Sequence, residues 1–124
     1  MDKHTKKILI IEDDGHVSKV YETKFIQEGY IPVLVESGEH ATKKIVHEKP
    51  DLIILDLMVP KKDGFAILKE IKGNSIIANI PIIVLTNLGG RDDHERALGL
   101  GANDYMVKSE NSIQHIVDNI KKYV

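Results

Sequence analysis

The sequence predicts an α/β protein, a single parallel β-sheet wound on both sides by helices. Apolar runs of four to five residues alternate five times with segments of helical periodicity. The runs Leu52–Leu55 and Pro81–Leu85 carry no polar residue, as expected of strands covered on both faces. The connections between segments are short, with no linker, repeat or low-complexity stretch, so the 124 residues (1–124) are expected to form one domain.

Lys7–Ile11 is the first strand, and it runs into the acidic Glu12-Asp13-Asp14. Val17, Val20, Tyr21 and Phe25 then recur at helical spacing up to a stop at Gly29. Tyr30–Val35 is the second strand, and Pro32 places it at a strand start or a sheet edge. Glu39–Glu48 is a short helix turning Ala41, Ile45 and Val46 inward, closed by Pro50. The third strand, Leu52–Leu55, ends in Asp56, and Pro60 follows four residues later. Phe65, Leu68 and Ile71 mark a third helix that stops at Gly73-Asn74. Pro81–Leu85 is the fourth strand, ending in Thr86. Arg91–Leu100 is a weak helix, flanked by Gly89-Gly90 and containing Gly99, which suits a mobile element because glycine weakens helices by ~1 kcal/mol each. Tyr105–Val107 is the fifth strand, ending at Lys108. The last helix carries Ile113, Ile116, Val117 and Ile120 on one stripe, with Lys121 and Lys122 near its carboxyl end.

Composition narrows the function. A net charge of −2 gives no electrostatic drive toward nucleic acid or an anionic membrane. The absence of cysteine excludes disulfides and Cys-ligated zinc and is compatible with a cytoplasmic location. The apolar run Ile8–Ile11 is too short for a signal-peptide core, and no run approaches membrane-spanning length. A soluble, intracellular protein is expected.

In a parallel sheet the carboxyl ends of the strands share one edge, where open α/β sheets place their ligands. That edge collects Glu12 and Asp13 from strand one, Asp56 from strand three, Thr86 from strand four and Lys108 from strand five. Carboxylates this close resist joint ionisation unless a cation intervenes. Magnesium, which prefers oxygen ligands, resolves the conflict. Three carboxylates, a divalent cation and the Lys108 ammonium sum to near neutrality, leaving a site that accepts a phosphoryl group. Asp56 is the central carboxylate and the candidate nucleophile, since carboxylates form acyl phosphates.

These residues resemble the receiver domain of two-component response regulators, the fold shared with the chemotaxis response regulator. The resemblance runs from about Lys7 to the C-terminus. It is carried by Ile10-Ile11-Glu12-Asp13-Asp14, by Leu55-Asp56-Leu57-Met58-Val59-Pro60 with Asp63-Gly64, by Val84-Leu85-Thr86, and by the run Ala97 to Lys108. It implies a flavodoxin-like doubly wound sheet of order 2-1-3-4-5 with five helices. It implies that Asp56 takes a phosphoryl group from a sensor histidine kinase or a histidine phosphotransfer protein. Asp13, Asp56 and the backbone carbonyl of Met58 would ligate magnesium, with Glu12 acting largely through water. Thr86 and Lys108 would bind phosphoryl oxygens, and Tyr105 holds the family's switch position. The fourth helix, fifth strand and fifth helix would form the face that meets a downstream protein target. Phosphorylation-dependent homodimerisation stays open, and direct contact with nucleic acid or membrane is not expected.

The chain departs from the family pattern at two positions. Ser109 stands where the family usually has a cis proline; a non-proline cis bond costs ~2.5–4 kcal/mol, so either the site enforces a strained cis bond or, the favoured reading, Lys108 approaches on a trans backbone. Asn87 stands where a small residue is preferred, and it either narrows access to Asp56 or touches the phosphoryl group itself. Met58 and Leu88 flank the path of an attacking water and cannot hold it by a side-chain hydrogen bond, which points to slow self-dephosphorylation. Asp14 reads as a helix N-cap or an exposed acid, and Tyr105 has a plain alternative as a half-buried strand aromatic. His4, His16, His40, His47, His94 and His115 show no zinc spacing and read as surface residues. Lys61-Lys62 reads as a solvated loop, and Arg91 and Arg96 as a solvated face, with contact to an acidic partner as the alternative.

Two rivals remain. One is a degenerate receiver serving as a phosphorylation-independent docking module, kept open by Asn87 and Ser109. The other is a magnesium-dependent phosphohydrolase, which would need a general acid where Met58 stands. The chain itself is therefore expected to be a phosphoacceptor regulator that catalyses only its own phosphorylation and dephosphorylation.

Overall fold

The computed structural model describes residues 5–124, so His4 lies outside the described residues. Within them the chain forms β1 (Lys7–Ile11), α1 (Gly15–Gln27), β2 (Ile31–Val35), α2 (Ala41–Glu48), β3 (Leu52–Leu55), α3 (Gly64–Lys72), β4 (Ile82–Thr86), α4 (Arg91–Gly99), β5 (Asp104–Val107) and α5 (Ile113–Ile120). The strands form one sheet in the order β2-β1-β3-β4-β5, and every pairing is parallel. The expected doubly wound fold and strand order are therefore present.

Alternation along the strands builds two cores. Leu9, Ile11, Ile53, Leu55, Ile82 and Val84 face α2, α3 and α4, meeting Ile45, Leu68 and Ala97. Their neighbours Ile8, Ile10, Leu52, Ile54, Ile83 and Leu85 face α1 and α5, meeting Phe25, Val117 and Ile120. β3 is buried along its whole length, as a strand covered on both faces must be. β2 lies at the sheet edge, where the missing N–H of Pro32 costs no ladder bond.

The helix ends follow local chemistry. Asp14 caps α1 by accepting the His16 and Val17 N–H groups, as read from the sequence. Asp63 caps α3 through Phe65 N–H, and Ser112 caps α5 through His115 N–H. α1 gives way to Gly29 at φ 91, a conformation glycine adopts without strain. α4 begins after Gly90 with no side-chain cap, and its buried residue is Ala97 alone.

Several boundaries differ from expectation. The second helix opens as a 3-10 turn, Gly38–His40, capped by Ser37, before the α-helix begins at Ala41. The fourth helix closes at Gly99 rather than Leu100, the fourth strand runs from Ile82 through Thr86, and β2 begins at Ile31. Asp104 adds one residue to the fifth strand. Val20, counted in the first helix's apolar stripe, is 55% exposed because it borders an open cleft shared with Ile113.

Candidate functional site

Strand register levels the functional residues at one edge. Ile11 pairs with Leu55, Leu55 with Val84, and Thr86 with Val107, so Glu12, Asp56, Thr86 and Lys108 emerge side by side. Backbone bonds continue past the strand ends, with Glu12 N–H donating to Val35 O at 2.9 Å and Asp56 N–H to Ile11 O at 3.0 Å. The acids are therefore carried on rigid backbone.

Glu12 and Asp56 are buried, whereas Asp13 is exposed. Carboxylate oxygens of Glu12, Asp13 and Asp56 lie within 4.8 Å of one another. Lys108 Nζ reaches in from β5, donating to Asp56 Oδ2 at 2.7 Å and to Glu12 Oε1. Asp56 Oδ1 accepts the Met58 N–H at 3.0 Å, and Glu12 Oε2 accepts the Asp14 N–H at 3.1 Å. Burial pushes the Glu12 carboxyl above its ordinary value, outweighing its bonds to Lys108 and Asp14. Burial pulls the Lys108 ammonium down, but Asp56 and Glu12 more than offset it and hold the pKa above its ordinary value. One ammonium thus pairs with two of the three carboxylates, and a hard cation fits the remaining negative charge and the all-oxygen donor set.

Thr86 is fully buried, with its Oγ1 accepting the Leu88 N–H at 3.4 Å. Tyr105 is buried too; its hydroxyl donates to Leu88 O, and its ring stacks on His94 with centroids 4.7 Å apart. The hydroxyls of Thr86 and Tyr105 are both engaged on the same residue, Leu88. Met58 lies two residues past Asp56 with its side chain 56% exposed.

No peptide bond among the described residues is cis, so Lys108 enters the site on a trans backbone as expected. Asn87 Oδ1 accepts the Ser109 N–H at 3.1 Å, a partner that neither alternative for Asn87 had named. Lys62 is not merely solvated, since its ammonium pairs with Glu70, which also accepts from Thr42. Arg96 is likewise more than a solvated side chain: its guanidinium lies over the Phe65 ring at 4.1 Å. His94 is exposed as expected, but its stack on Tyr105 has no sequence signal, because α4 packs too little to show a facing.

The profile of the response regulator receiver domain matches residues 8–121. The chain belongs to the response regulator receiver family. Such receivers act as phosphorylation switches rather than as enzymes of an external substrate. The chain is 42% identical over 109 residues to "Probable transcriptional regulator ycf27" of Guillardia theta, an alignment covering 87% of this receiver and 42% of that protein. The chain thus spans less than half of that relative's length. Among solved structures it is similar to the BeF3-activated N-terminal receiver domain of Klebsiella pneumoniae RstA, with 30% identity, a TM-score of 0.88 and 94% and 97% of the two chains covered. It is also similar to the receiver domain of the Pseudomonas aeruginosa sensor histidine kinase PA1611, solved with magnesium in its active-site cleft, at 28% identity and a TM-score of 0.86, covering 97% and 98%. The acidic cluster of this receiver and the metal-bound relative support a phosphorylation-competent, metal-binding domain. No helix among the described residues is long and apolar enough to cross a membrane.

Proposed function

We propose that residues 1–124 act as the phosphoacceptor switch of a two-component phosphorelay, with Asp56 as the acceptor. One juxtaposition carries the reading: Asp56 sits among the carboxylates of Glu12 and Asp13 while Lys108 Nζ lies 2.7 Å from its Oδ2. A carboxylate oxygen of Asp56 attacks the phosphorus of a phosphohistidine carried by a sensor histidine kinase or a histidine phosphotransfer protein. The new O–P bond forms as the N–P bond breaks, and the electron pair stays on the imidazole nitrogen. Asp13, Asp56 and the Met58 carbonyl would hold magnesium, with Glu12 acting through water. When bound, the ion supplies the positive charge that lets the transferring phosphoryl oxygens approach three carboxylates.

Lys108 then follows the negative charge from the carboxylate to the phosphoryl oxygens, and Thr86 gives up Leu88 to bind them. Tyr105 shares Leu88 with Thr86, so movement of one hydroxyl is felt by the other. This supports Thr86 and Tyr105 as the switch and the α4, β5 and α5 face as the surface offered to a cytoplasmic protein target or to a second copy of the chain.

Intact mass after incubation with acetyl phosphate and magnesium tests the assignment. The wild type should gain one phosphoryl group, while Asp56→Asn, or the wild type without magnesium, should gain none. An unlabelled wild type would instead favour the phosphorylation-independent docking module.

A further inference from the structure

Lys108 is the residue whose placement the site most depends on, yet it sits at the mouth of an exposed turn, Lys108–Glu110. Its two neighbours in the chain are each held by an asparagine side chain. Val107 O accepts Asn111 Nδ2 at 2.8 Å on one side of it. On the other, Ser109 N–H donates to Asn87 Oδ1 at 3.1 Å. The side-chain oxygen of Asn87 must face this partner, because its amide nitrogen would oppose one donor with another. The donor exists because residue 109 is not proline, which lacks an N–H. Asn87 directly follows Thr86, so a single hydrogen bond joins the residue after the site's hydroxyl to the residue after its ammonium. Asn87, Lys108, Ser109 and Asn111 line one cleft together with Tyr21.

We infer that Asn87 is a positioning residue for phosphoryl transfer, acting through the Ser109 amide so that the Lys108 turn and the end of β4 move as one unit. The hydrogen bond of Asn87 runs to the Ser109 amide rather than to Asp56, so it sets where Lys108 stands when Thr86 shifts. A bond at the surface contributes modestly, because water competes for both partners. Its effect is therefore on geometry and rate more than on folding. This rests on the phosphoacceptor reading of Asp56.

The test measures the rate of labelling by acetyl phosphate with magnesium, alongside magnesium affinity and the Ser109 amide resonance in nitrogen-15 spectra. Asn87→Ala should slow labelling about threefold, the scale of one solvent-exposed hydrogen bond, and should shift the Ser109 amide while magnesium affinity stays within about twofold. Ser109→Ala, which keeps the N–H, should keep the rate. Ser109→Pro should slow labelling as Asn87→Ala does, and the double variant Asn87→Ala/Ser109→Pro should be no slower than either single one. Should Ser109→Pro fail to fold, the comparison of Asn87→Ala with Ser109→Ala carries the test. Unchanged labelling in Asn87→Ala, additive losses in the double variant, or an unmoved Ser109 amide would overturn the inference. A wild type that takes no label would overturn the phosphoacceptor reading, and the inference with it. A labelled wild type with no coupling would overturn the inference alone.

Discussion

Replacing Gly64 by alanine should damage both stability and the site. An ideal Cβ at Gly64 would stand 2.3 Å from Leu57 Cα and 2.6 Å from Leu57 O, where ordinary contact begins at 3.4 Å. Both obstacles are backbone, so no rotamer change relieves them. Either the start of α3 or the loop after β3 must retreat by roughly 1 Å, an overpacking that costs about 1–3 kcal/mol. The Gly64 N–H bond to Leu57 O, 3.3 Å long, is lost in the same movement, at about another 1 kcal/mol. For a chain of this length 1 kcal/mol corresponds to about 4 °C, so Tm should fall by roughly 8–16 °C.

Leu57 lies between Asp56 and Met58, so magnesium affinity should weaken in the same variant. Gly99 is the contrast. A Cβ there meets nothing within 4 Å, and Gly99→Ala should raise Tm by about 2–4 °C through helix propensity alone. Thermal denaturation followed by far-ultraviolet circular dichroism, with magnesium titrated separately, reads both effects. A Gly64→Ala variant melting within about 2 °C of wild type, or one that binds magnesium normally, would refute the steric reasoning.

Met58→Asn adds a side chain that can hold an attacking water, and the phosphoryl half-life should shorten about tenfold, the effect of one hydrogen bond made in the transition state. An equal or longer half-life, followed by mass spectrometry, would oppose this. Lys108→Ala removes the ammonium that competes with a cation for Glu12 and Asp56, so magnesium should bind about fivefold more tightly while labelling of Asp56 is lost. Isothermal titration with phosphorylation assays checks both halves. The hydrogen bonds from Lys62 and Thr42 hold the Glu70 carboxyl below its ordinary value of 4.5. A depressed carboxyl contributes stability that is fully present above that value and is lost as pH falls through the lower folded value. Urea midpoints should therefore separate wild type from Glu70→Gln at neutral pH and converge toward it in acid.

The fold and the centre of the site were legible because both depend on period and strand ends. Five apolar runs in alternation with helical stripes leave little choice of topology, and a parallel sheet forces Glu12, Asp56, Thr86 and Lys108 to one edge wherever the loops go. What was not legible lies in those loops. That Asn87 meets Ser109 depends on how two turns lean toward each other. That His94 lies on Tyr105 depends on the rotation of a helix with one buried residue. The close approach of Gly64 to Leu57 is a tertiary contact in which glycine is required for space rather than for a turn. Arg96 over Phe65 has the same character: its partner sits on another helix, thirty-one positions away.

The strand order has one more consequence. Glu12, Asp13 and Asp56 hang from β1 and β3, each flanked by strands on both sides, whereas Lys108 and Tyr105 hang from β5 at the sheet margin beside the lightly packed α4. Opening β1 or β3 to solvent would require dismantling the sheet, while α4 and β5 can loosen with the rest intact. Amide protons at the two ends of this one site should therefore exchange on different clocks. The acids are thus tied to the stiffer part of the sheet and Lys108 and Tyr105 to its more compliant margin, a division already set by which strand each residue follows.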